Sequence, residues 1–174
     1  MHSLQYPIGK PIPEPILTPA QRVDYRQQIE AIPQQYRSVA SQLSEAQLDT
    51  PYRPGGWTAR QVIHHVPDSH LNAYLRFRWA LTEDEPTLKA YDEQAWAQLH
   101  DAQHGPIEVS LALLEALHTR WGLLIASLSE ADFARRIRHP ESGWWTVDEL
   151  LSHYVWHGAH HLAHLKLVLG ESPA

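Results

Sequence analysis

The sequence predicts an all-α fold, a four-helix bundle. Apolar residues recur at spacings of three and four, capping boxes mark three helix starts, and the first half of the chain is written again in the second.

Thr18-Pro19-Ala20-Gln21 opens the first helix. Threonine caps it, proline fills the first helical position, and glutamine reaches back. Tyr25, Ile29, Ile32, Tyr36, Val39 and Leu43 follow at spacings of 4-3-4-3-4, one face of a helix. Pro33 lies inside this run and predicts a kink or a break, because it removes a backbone donor. After the turn Pro54-Gly55-Gly56, Thr58-Ala59-Arg60-Gln61 opens the second helix. Val62, His65, Val66, Ser69 and Tyr74 carry it to about Leu81, and Pro67 should bend it.

Residues 82–106 read as a long crossover with one short helix near 92–99. The third helix covers about 107–128, where Leu111, Leu114, His118, Trp121, Ile125 and Leu128 are spaced 3-4-3-4-3. Thr146-Val147-Asp148-Glu149 opens the fourth, which runs to Leu169 and stops at Gly170. The segment before the first helix holds prolines 7, 11, 13 and 15 and has no periodicity. It reads as an extended arm, residues 1–17, laid on a single bundle domain of residues 18–170.

The repeat supports this division. Leu43-Ser44-Glu45-Ala46-Gln47-Leu48 resembles Leu128-Ser129-Glu130-Ala131-Asp132-Phe133, and Gly56-Trp57-Thr58 resembles Trp144-Trp145-Thr146. Two similar αα-hairpins are expected to pack on each other.

The chain has 174 residues, 43% of them apolar and 20% charged, enough for one ordinary core without staples. It has no cysteine, which excludes disulfides, thiolate metal sites and cysteine nucleophiles. A net charge of -6 argues against nucleic acid as a partner, and the run RRIRH at 135–139 is too short to change that. The start shows no signal-peptide pattern, and the apolar stretches are short and interrupted by histidines or acids. No membrane span is expected, and a cytoplasmic location is.

The unusual count is 13 histidines, five of which (153, 157, 160, 161 and 164) fall within 12 residues of the fourth helix. His157 and His161 share one helical face a turn apart, a spacing that lets two imidazoles chelate one cation. Where a zincin helix carries its glutamate base this stretch has Gly158, so a thermolysin-like peptidase is a poor reading. The second helix offers His64, His65, Asp68 and His70. His65 lies in the apolar series with Val62 and Val66 and should point inward, whereas His64 is rotated off that face. Asp68 could ligate, orient an imidazole, act as a base toward bound water, or simply cap the helix beyond Pro67. Arg60, Arg76 and Arg78 read as solvated surface groups before substrate ligands. His2, His100, His104, His118 and His139 carry no functional role on this reading, with His118 placed on the core stripe.

Three segments, LDTPYRPGGWTARQVIHHVPDSHLNAYLRFRWALTEDEPTLKAYDEQAW, LALLEALHTRW and YVWHGAHHLAH, together resemble the DinB superfamily and its YfiT-like branch of metal-dependent hydrolases. The likeness extends from the YPIG stretch at 6–9 to the fourth helix. It implies an up-down-down-up bundle, one zinc or nickel ion, and three histidine ligands that fall on His65, His157 and His161. It also implies a homodimer. Pro67 and His153 depart from the family pattern. A metal so held acidifies a bound water toward neutral pH, which suits hydrolysis of a small substrate with Asp68 as the candidate catalytic acid or base. The alternatives are a thiol S-transferase of the bacillithiol type, which would bind a thiol cofactor, and a non-catalytic metal-binding protein.

Overall fold

The computed structural model describes residues 4–171; His2 and the first three residues of the arm lie outside them. Four long helices form the bundle: α1 (Pro19–Ala40), α3 (Ala59–Thr82), α6 (Ile107–Ala126) and α8 (Val147–Val168). The capping boxes at Thr18, Thr58 and Thr146 are all formed as the sequence predicts. Pro33 and Pro67 sit inside α1 and α3 without ending either helix. Each removes one hydrogen bond, and the buried faces on either side hold the helix together.

The helices do not pair as hairpins. α1 packs along α6 and α8, and α3 packs along the same two, so α1 and α3 stand at opposite corners. The reason lies in the connections. Short turns force consecutive helices to be neighbours, but residues 41–58 and 127–146 are long enough to cross the end of the bundle. Each contains a short capped helix, α2 (Glu45–Leu48) and α7 (Glu130–Phe133). The repeat is therefore structural: Ala59 N–H donates to Thr50 O at 3.2 Å, and its counterpart Val147 N–H donates to Arg135 O at 3.1 Å.

Two features escape the helical pattern. The crossover holds two short helices, α4 (Glu93–Ala97) and α5 (His100–His104). Residues around the basic run form an antiparallel hairpin of β1 (Arg136–His139) and β2 (Gly143–Thr146), with Ile137 opposite Trp145. Gly143, at φ +85°, makes its turn.

The arm lies on α8. Glu14 N–H donates to Ser152 Oγ at 3.0 Å, and Leu17 N–H to Asp148 Oδ2 at 3.0 Å. Among the described residues α6 is long and apolar enough to cross a membrane, contrary to the expectation from short apolar runs. In the bundle its inner face, Leu111, Leu114, Trp121 and Ile125, is buried against α1 and α3.

Candidate metal centre

The core between α3 and α8 is polar where a helical bundle is ordinarily apolar. His65, Ser69 and His70 on α3 and His157 and His161 on α8 are all buried. The i, i+4 spacing that predicted a shared face on α8 holds, with the His157 and His161 rings 4.6 Å apart. Facing them across the helix interface, His65 brings one ring nitrogen within 4.8 Å of a nitrogen from each.

This donor set fits a cation. His65 Nε2 and His157 Nε2 lie 3.4 Å apart, and two lone pairs so placed repel unless a proton or a cation lies between them. Metal binding needs the neutral imidazole. Burial supplies it, lowering His65 to about 4 and holding His157 and His161 well below the ordinary value, with the neighbouring rings adding to the effect. Trp57 walls one side, its ring 4.6 Å from His65 and 6.2 Å from His161.

Two clefts open on this cluster. The larger, about 750 Å³, is lined among others by Ser69, Arg76, Tyr91, Glu93, His153 and His157. The smaller, about 300 Å³, reaches His157, His160, His161 and His164 under the arm. Glu93 borders both, and partial desolvation raises its carboxyl, opposed by Arg76. The irregular crossover gave no sequence signal for this residue. Asp68 lines neither cleft. Its half-buried carboxyl is pushed up to about 6, first by burial and then by Asp101 of α5.

The remaining candidates separate clearly. His64 turns away from the cluster to Ser110 Oγ at 2.7 Å and Gly105 O at 3.1 Å. His160 stacks on Trp156 and His164 on Tyr52. His153 borders both clefts, and its Nδ1 is without a partner among the described residues. Arg60 is tied to Asp49 and Glu45, while Arg76 donates to the Tyr154 hydroxyl at 2.7 Å and reaches the larger cleft.

Known proteins resemble this chain along most of its length. Residues 28–165 match the DinB superfamily. The chain belongs to the DinB superfamily. Within it, this DinB chain is 47% identical over 161 residues to an Oceanobacillus iheyensis protein named "putative metal-dependent hydrolase", covering 92% of this chain and 93% of that one. A Bacillus pumilus protein of the same name is 48% identical over 166 residues, covering 95% and 94%. The solved structure of YfiT from Bacillus subtilis superposes with a TM-score of 0.93 at 42% identity, covering 95% of each chain. That protein is described as "a probable metal-dependent hydrolase with an unusual four-helix bundle topology". This likeness to YfiT over nearly the whole chain places the DinB bundle in the YfiT-like branch.

Proposed function

We propose that this DinB protein is a metal-dependent hydrolase of a small substrate, holding one divalent cation through His65, His157 and His161. The observation that carries the reading is the convergence of three buried imidazoles from two helices beside an open cleft. The names of its relatives support the reaction class. A cation bound there would supply Lewis acidity and an acidified water. The larger cleft would seat the substrate, and its volume falls within the usual range for small ligands. Trp57 and Tyr154 would limit water around the imidazoles. For proton transfer we favour Glu93 over Asp68, because Glu93 borders the cleft that His157 reaches.

The thiol-transfer reading needs a rim suited to an anionic cofactor. Here Asp92, Glu93 and Glu141 outnumber Arg76 along the larger cleft, which weighs against it. A purely structural metal site would not need a cleft of this size. Zinc is the first choice for three imidazoles, with nickel second, since both accept this ligand type. We retain the division into an arm, 1–17, and one domain, 18–170, together with the cytoplasmic location. The homodimer finds support in Val109, Leu113 and Leu123, exposed on α6, which a second copy could cover.

The deciding experiment is elemental analysis of untagged protein purified without chelator or added metal, beside His157→Ala. About one zinc or nickel per chain, lost in the variant, is the expected result. Absence of metal even after reconstitution would sink the enzyme reading.

A further inference from the structure

The proposed triad leaves two polar groups deep in the bundle without work. His70 and His118 are completely buried, and neither is a proposed ligand. They connect His157 to the backbone of α1.

The Ile29 carbonyl can only accept a hydrogen bond, and this decides every proton along the connection. In an α-helix that carbonyl would bond the N–H four residues on, but residue 33 is proline and has none. His118 Nδ1 lies 2.6 Å from the Ile29 oxygen and must therefore carry hydrogen. A neutral imidazole has a single N–H, so His118 Nε2 is an acceptor. It sits 2.8 Å from His70 Nδ1, which must donate. His70 Nε2 is then bare and accepts from His157 Nδ1 at 3.0 Å. His157 is left with an unprotonated Nε2, the atom that faces His65 Nε2.

We propose that His118 and His70 are positioning residues that lock His157 with its proton on Nδ1 and its Nε2 lone pair free for the cation. The anchor is a carbonyl that Pro33 releases from the helix. Both rings are wholly shut off from solvent, and each ring nitrogen has one partner, so neither ring needs a second proton.

The same logic operates at the other α8 ligand. His164 Nε2 lies 3.3 Å from Gln5 O, so it donates, and its Nδ1 accepts from His161 Nδ1 at 3.3 Å. His161 Nε2 is thereby free as well. His160, His161 and His164 also bring three ring nitrogens within 4.8 Å of one another. On this reading His164 orients His161, and the group is not a second cation site.

The inference rests on the proposed triad, and two measurements separate their failures. The first is long-range ¹H–¹⁵N spectroscopy of the histidine rings in metal-free protein. His157 should show a pyrrole-type Nδ1 and a pyridine-type Nε2; the opposite tautomer in the wild type would overturn the proposal. The second is zinc affinity by competition with a chromophoric chelator, in folded His118→Gln and His118→Phe proteins. Glutamine can donate to Ile29 O and accept from His70, so its affinity should stay within about 3-fold of wild type. Phenylalanine can do neither and should weaken zinc by about 10- to 100-fold. Equal affinity in both variants would overturn the relay. If His118→Phe does not fold, the wild-type spectrum still decides. The expected tautomer without any zinc binding would uphold the relay while sinking the metal reading.

Discussion

Gly158 on α8 meets Ile32 on α1 so closely that a Cβ at 158 would overlap the Ile32 side chain. The Gly158 carbonyl also accepts from the Tyr36 hydroxyl at 2.8 Å. The position after His157 thus faces the neighbouring helix, which leaves no room for a glutamate there. Alanine for glycine in a helix interior ordinarily stabilises by about 0.5–1 kcal/mol. Here Gly158→Ala should instead destabilise by about 1–3 kcal/mol, through overpacking. Adding Ile32→Val, which removes the nearest atom, should recover part of the loss. Urea unfolding of the single and double variants checks this. A Gly158→Ala protein more stable than wild type would show that the contact relaxes at no cost.

Two acids compete for the role of general base, and their surroundings distinguish them. Glu93 stands where both clefts meet, whereas Asp68 faces Asp101 and lines neither. Once a substrate is found, Glu93→Gln should lower kcat by about 10²- to 10⁴-fold, with zinc content unchanged. Asp68→Asn should cost less than 10-fold. The reverse ranking would return the role to Asp68.

Much of this was legible before the fold was known, because it depends on local rules. Thr18, Thr58 and Thr146 announce their helices through side chain–backbone bonds within four residues. His157 and His161 share a face because helical geometry requires it. What stayed hidden depends on long-range placement. Nothing near Glu93 indicates that the crossover folds back over His157. Nothing near His118 separates a relay member from a core histidine, since its partner is a carbonyl on another helix. The hairpin at Arg136–Thr146 was obscured because its first strand is the charged run itself, with a single buried residue, Ile137. The diagonal arrangement was missed because the repeat suggested tight hairpins, while the long connections permitted a crossing.

The Arg22–Asp148 pair ties α1 to the start of α8. Arg22 Nε and Nη2 donate to the two Asp148 oxygens at 2.9 and 2.8 Å, and Leu17 N–H adds a third bond. Both side chains are buried, so removing one partner strands the other. Asp148→Ala should cost about 3–5 kcal/mol. Glu130, which also reaches Arg22 at 2.9 Å but leaves 75% of its side chain in solvent, should cost under about 1 kcal/mol when replaced by alanine. Comparable losses in chemical denaturation would mean that Asp148 is solvated after all.

Acid should destabilise the metal-free protein between pH 7 and pH 5. His118 has an ordinary value of 6.5 and is lowered to about 4 in the fold, first by desolvation, so the folded ring stays neutral. Below pH 6.5 the unfolded chain takes up a proton that the folded chain refuses, and stability falls until the folded ring also protonates near pH 4. At pH 5 this amounts to about 2 kcal/mol for His118 alone. His153 and His160, also lowered to about 4 by burial, act in the same direction. Asp68, raised to about 6, acts in the opposite direction, because its protonated form is the one the fold prefers. Several buried imidazoles against the two raised carboxyls of Asp68 and Glu93 leave a net loss on acidification. Urea midpoints of chelator-treated protein should therefore drop steadily from pH 7 to pH 5, with a shallower drop in His118→Gln. A midpoint that holds constant over that range would mean that the buried rings are already protonated, or are exposed, in the native state.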